Sequence, residues 1–250
     1  FVREVSSIEW HRYPDRMATE LRNDLAALHD VEPQQILVAN GSNEILQTIC
    51  LTFGGVGRTV ATFEPTYAMY GQIARTTQCT VVEGERDADY RLDIAELDRV
   101  VADHSPSIVF LCSPNNPTGT PEQLETVQRA LEVTSGVVVV DEAYGQFASF
   151  TALDLLRANP ELPLVVTRTF SKTWSMAGVR LGYCVAPAWM IPEFEKVILP
   201  YHLDSVKQIA GRVALRFQHQ MESRVAYIVE ERGRVDEALR GLGFDVWPSQ

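Results

Sequence analysis

Residues 167–183, TRTFSKTWSMAGVRLGY, set one lysine beside two hydroxyl side chains and eight residues ahead of an arginine. Lys172 falls in a polar, Gly-containing turn between the apolar segments LPLVV and RLGYCVA. An amine held in a cleft there, short of water and beside a cation, is a usable nucleophile. Thr169 and Ser171 add hydroxyls and Arg180 adds a forked cation, a donor set suited to a phosphate. A group carrying both an aldehyde and a phosphate would use all of them, and pyridoxal 5′-phosphate (PLP) is such a group. An ordinary polar surface loop would carry the same residue types.

Other segments run apolar strands into side chains of matching chemistry. In GVVVVDEAYGQF four valines lead to Asp141, Glu142, Ala143 and Tyr144. Ligands of wound α/β folds lie beyond the carboxyl ends of buried strands, which places Asp141 at the floor of a cleft. A carboxylate there would keep a pyridine nitrogen protonated, with Tyr144 in reach of the ring's phenolic oxygen. Asp141 could equally cap a helix after the strand. SIVFLCSPNNPTGT repeats the layout: Pro114, Pro117 and Gly119 stiffen a loop that holds the Asn116 amide for the same oxygen, although plain turns use these residues too. In ILVANGSNEILQTI, Gly41 precedes a helical pattern, so free backbone N–H groups with Ser42 and Asn43 would take a phosphate. Either side chain could instead be a helix cap. TFEPTYAMY puts Tyr67 and Tyr70 past another strand. Tyr67 has a flat face that would stack on a pyridine ring, or would serve as a core aromatic.

The elements that must position these residues alternate in the manner of a wound α/β sheet. Strands are expected near 36–39, 58–62, 79–83, 107–112, 136–141, 163–168 and 180–186. Helices are expected near 42–53, 67–76, 93–103 and 121–133, with a first helix starting at about Asp15, its cap. From 204 to 240 one long helical stretch is expected, closed by glycines at 241 and 243, with a strand at 244–247.

In chain order, NGSNE, EPTY, NNPTG, DEAY and SKxxxxxGxRLG resemble the fold-type I PLP-dependent aminotransferases. With HRYPD (His11–Asp15) and LPYHL (Leu199–Leu203), the chain is more narrowly similar to the histidinol-phosphate aminotransferase family. The resemblance covers nearly the whole chain. It implies a mostly parallel α/β sheet wrapped by helices, followed by the start of a smaller α+β C-terminal domain. Residues 1–200 would form the large PLP-binding domain, lacking its N-terminal arm. Residues 201–250 would form a linking helix and the start of a truncated small domain. Lys172 would bond the cofactor aldehyde and carry protons, Asp141 would face the ring nitrogen, and Asn116 and Tyr144 would share the phenolic oxygen. Tyr67 would cover the ring, and Ser42, Asn43, Ser171 and Arg180 would hold the phosphate with Thr169 nearby. Tyr13 matches the position that reaches the phosphate in the neighbouring subunit, which implies a homodimer with shared sites.

The net charge of −11 supplies no basic stripe for nucleic acid. No apolar run approaches the ~18 residues of a membrane helix. Cys50, Cys79, Cys112 and Cys184 are far apart and the five histidines scattered, so buried thiols in a reducing cytoplasm are expected, without a metal. The expected activity moves an amino group between L-histidinol phosphate and 2-oxoglutarate. An aromatic amino-acid aminotransferase, a threonine-phosphate decarboxylase and a PLP-sensing regulatory module are the competing readings. The family's substrate-binding arginines lie beyond Gln250.

Overall fold

The computed structural model describes residues 1–250. Its seven strands are β1 (Ile36–Ala39), β2 (Thr59–Glu64), β3 (Thr80–Glu85), β4 (Ile108–Cys112), β5 (Val137–Asp141), β6 (Leu164–Thr169) and β7 (Gly182–Val185). They form one sheet in the order β1-β7-β6-β5-β4-β2-β3. β7 is antiparallel to both its neighbours, and every other pairing is parallel. All seven expected strands are present, within a few residues of their expected bounds.

The helices are α1 (Val2–Val5), α2 (Thr19–His29), α3 (Ser42–Phe53), α4 (Met69–Thr76), α5 (Ile94–His104), α6 (Leu124–Val133), α7 (Leu153–Ala158), α8 (Ile191–Glu195), α9 (Ser205–Leu215) and α10 (Gln218–Gly241). The central strands are buried on both faces, and their alternation splits the core in two. Val109, Leu111, Val138 and Val140 join α2, α5, α6 and α7 on one face. Ile108, Phe110, Cys112, Val137 and Val139 join α3, α4 and α8 on the other. All four cysteines are buried and unpaired. No helix is long and apolar enough to cross a membrane.

Three expectations are corrected. The first helix begins at Thr19, because the Asp15 carboxylate accepts from the N–H groups of Met17 (3.0 Å) and Thr19 (2.7 Å) and closes a turn ahead of it. The stretch 204–240 is two helices interrupted at Arg216–Phe217, with Asp204 capping the first through the Lys207 N–H at 2.9 Å. Residues 244–247 form no strand. A strand needs a neighbour to complete its ladder; this segment instead runs along the loops, with the Gln250 N–H on Gly119 O at 2.8 Å and Trp247 Nε1 on Ala88 O at 3.3 Å. The short helices α1, α7 and α8 were not anticipated.

His29 sits under the sheet, 6% exposed, 2.7 Å from the Tyr183 hydroxyl. Burial, with help from Arg168 and Arg157, pushes its pKa down to about 3. A folded-state value below the unfolded one means that its contribution is present above pH 6.5 and is lost as pH falls towards 3. Between pH 7 and pH 5 the protein should lose roughly 2 kcal/mol from this group. Urea midpoints at the two pH values measure it, and His29→Gln should flatten the difference.

Candidate active site

Because β7 runs against the rest of the sheet, its amino end lies at the same edge as the carboxyl ends of the parallel strands. Arg180, two residues before β7, therefore meets residues following β1, β2, β4, β5 and β6. One cleft at that edge is lined by Ser42, Asn43, Tyr67, Asn116, Asp141 and Tyr144. Thr169, Ser171, Lys172 and Arg180 line it too, so ten of the eleven residues anticipated from the sequence converge. Tyr13 is the exception. It is 78% exposed and its ring stacks on Tyr201 at 4.5 Å, away from the cleft lining.

The lysine turn is held from below. Phe170 and Trp174 are buried with ring centroids 5.5 Å apart, so Ser171 and Lys172 between them are presented at the surface of the cleft. Lys172 Nζ lies 5.1 Å from the centre of the Tyr144 ring. The chain has three lysines. Lys196 pairs with Glu193 at 2.6 Å and Lys207 with Asp204 at 2.8 Å, leaving Lys172 without a carboxylate partner.

Arg180 and the amino end of α3 form a cradle in the same cleft. The cap of α3 is Gly41 itself, so neither Ser42 nor Asn43 is occupied by capping, and their backbone N–H groups make no hydrogen bond. Gly41 has φ +83°, and a Cβ there would lie 2.8 Å from Arg180 Nη2. Gly182 is pressed as closely, since a Cβ would come within 2.4 Å of the Ser42 nitrogen. Both positions need glycine to bring the guanidinium and the helix end together. Arg180 Nη1 donates to Ser171 Oγ at 3.2 Å and has no carboxylate partner. Thr169 is occupied otherwise: its hydroxyl accepts from the Ser171 N–H (3.1 Å) and donates to Leu181 O (3.3 Å), shaping the turn.

Asp141 forms the floor at 2% exposure. Burial pushes its pKa up, while the Tyr70 hydroxyl (2.9 Å, to Oδ2), the Thr167 hydroxyl and the Ala143 N–H (3.0 Å, to Oδ1) pull it back. The local turn bond to Ala143 is thus real, but Asp141 caps no helix; the following 3₁₀ turn is preceded by Tyr144. The Asn116 loop is pinned by its neighbour Asn115, whose amide donates to Pro65 O (3.0 Å) and Thr118 Oγ1 (2.8 Å) and accepts from Thr66 Oγ1 (2.8 Å). Tyr67 is half-buried, with its hydroxyl 3.3 Å from Asn43 Oδ1. Asn115 and Tyr70 were missed as supports of the site. The doubled asparagine and the second tyrosine of EPTYAMY were the available signals.

An amine and a guanidinium without carboxylate partners, the unengaged N–H groups of Ser42 and Asn43, and a buried carboxylate in the same cleft suit a molecule with an aldehyde, a phosphate and a ring nitrogen. Residues 3–250 match the family described as aminotransferase class I and II, and the chain belongs to that family. Within it, the chain is 45% identical over 257 residues to the histidinol-phosphate aminotransferase of Mycobacterium marinum, covering 99% of this chain and 67% of that one. It is 43% identical over 246 residues to the histidinol-phosphate aminotransferase of Corynebacterium diphtheriae, covering 96% and 67%. Among solved structures, a Sinorhizobium meliloti histidinol-phosphate aminotransferase in complex with pyridoxal-5′-phosphate has the same fold. Its TM-score is 0.90 at 24% identity, over 99% of this chain and 68% of that one.

Proposed function

We propose that the protein is a PLP-dependent aminotransferase of histidine biosynthesis, acting in the cytoplasm. It passes the amino group of L-histidinol phosphate to 2-oxoglutarate, yielding imidazole acetol phosphate and glutamate. The observation that carries this reading is the meeting, at one sheet edge, of Lys172, the Gly41–Arg180 cradle and Asp141. The names of the relatives favour histidinol phosphate over an aromatic amino acid as donor.

When bound, PLP supplies an aldehyde that takes up the amino group and a ring that draws electrons from the carbon bearing it. Ser42, Asn43, Ser171 and Arg180 hold the phosphate. Asp141 keeps a proton on the ring nitrogen, Asn116 and Tyr144 donate to the phenolic oxygen, and Tyr67 covers the ring. Lys172 Nζ would take the proton from the donor's amino-bearing carbon and hold it for return within the cleft. The large domain ends near residue 200, and α9 and α10 lead towards a smaller one. The deciding assay is kcat/KM for histidinol phosphate against phenylalanine with the complete protein. Histidinol phosphate should be preferred by roughly a hundredfold or more, as for leaving one buried donor or acceptor unsatisfied. Equal values would favour the aromatic reading.

The functional unit is a homodimer in which Tyr13 completes the partner's phosphate site. Its exposure, together with that of Trp10 (70%) and Leu199 (78%), supports a covered surface here. Mixing Tyr13→Phe with Lys172→Ala subunits should yield more activity than either parent, because one site of each mixed dimer is intact. No gain on mixing would assign Tyr13 to its own subunit.

A further inference from the structure

We propose that Tyr70 is a positioning residue for the reaction: its hydroxyl orients Asp141 and keeps the shared proton on the cofactor's ring nitrogen rather than on the carboxylate. The proposal rests on the functional reading above.

Tyr70 is 1% exposed in the first turn of α4, and the adjoining rings fix its orientation. It stacks on Phe110 of β4 at 4.9 Å and 7°, and meets Tyr67 edge-on at 5.4 Å and 82°. A phenylalanine would fill this aromatic stack equally well. What the tyrosine adds is one O–H, aimed at Asp141 Oδ2 from 2.9 Å. The two residues are far apart in the chain and meet because α4, docked on β2 and β3, sends the Tyr70 side chain past Phe110 of β4 to the end of β5.

The chemistry of the floor calls for such a donor. A carboxylate facing a pyridine nitrogen shares a proton with it, and the proton stays on the ring only while the carboxylate is the weaker base. Burial makes Asp141 a stronger base, as does the charge of the adjacent Glu142. Glu142 is itself neutralised by Arg168 at 2.5 Å. Cys112, opposite Asp141 on β4, has its thiol pushed up to about 12 by burial and remains neutral. Thr167, opposite on β6, is likewise uncharged. No cation touches Asp141, so the hydroxyls of Tyr70 and Thr167 and the Ala143 N–H are what weaken it as a base, and Tyr70 is the first of them. Burial holds the Tyr70 phenol far above its ordinary range, so it remains a donor at any working pH.

The test is Tyr70→Phe in the complete PLP-loaded protein, read by the 15N resonance of ring-labelled PLP and by steady-state kinetics. The resonance should move towards unprotonated pyridine, and kcat should fall by roughly tenfold or more with KM for the donor little changed, as for losing one hydrogen bond to a charged group. Tyr70→3-fluorotyrosine, a more acidic phenol that keeps the ring packing, should leave the nitrogen at least as protonated as in wild type. It decides the matter if the phenylalanine variant does not fold. An unmoved resonance and kcat within twofold in Tyr70→Phe, or a fluorotyrosine shift towards unprotonated pyridine, overturns the role of Tyr70 while wild type still binds PLP and turns over. A wild-type protein that binds no PLP overturns the functional reading and this proposal together.

Discussion

Lys172→Ala should abolish turnover while leaving the fold intact. The side chain is exposed and makes no ion pair, so its removal should change stability by no more than about 0.5 kcal/mol, as for surface substitutions generally. Activity should fall by roughly four powers of ten, the upper end of what a positioned acid–base group contributes. The visible absorbance that borohydride bleaches should vanish with it. Stopped assays beside a thermal melt separate the two effects. A variant that unfolds would assign Lys172 a structural part, and one that retains turnover would remove it from the chemistry.

Asp141→Ala should divide binding from catalysis. The cradle around Gly41 and Arg180 makes no bond to Asp141, so PLP should still bind. Amino transfer should slow by roughly three powers of ten, about 4 kcal/mol of barrier at ~1.4 kcal/mol per decade. The Tyr70 hydroxyl and the Ala143 N–H lose their acceptor, which should also lower stability by about 1–3 kcal/mol. Lost stability with near-normal rates would reduce the carboxylate to a structural anchor for α4 and the 141–143 turn.

The strands and most of the site were legible in the sequence for one physical reason. In a doubly covered parallel sheet, a strand is an apolar run and the cleft begins where the run stops. Ala39, Cys112, Asp141 and Thr169 all mark such stops, and the polar residues after them are those that line the cleft. What was hidden depends on docking. Tyr70 reaches Asp141 across 71 residues, and Asn115 reaches Pro65 across 50, so neither contact has a local pattern. The five- and six-residue helices α8 and α7 are too short for a 3.6-residue period to show. In α10 only Met221 is buried, so no apolar face marked the break that precedes it. The 244–247 segment has the apolar alternation of a strand, but alternation alone supplies no neighbouring strand.

The claim on which the account turns is that Lys172 is the amine that bonds the cofactor. With three lysines in residues 1–250, peptide mapping of the complete protein after PLP loading and borohydride reduction tests it directly. The account predicts one modified peptide, carrying the label on Lys172. A label on Lys196, Lys207 or any lysine other than Lys172, or no label in a protein that still transfers amino groups, would contradict it.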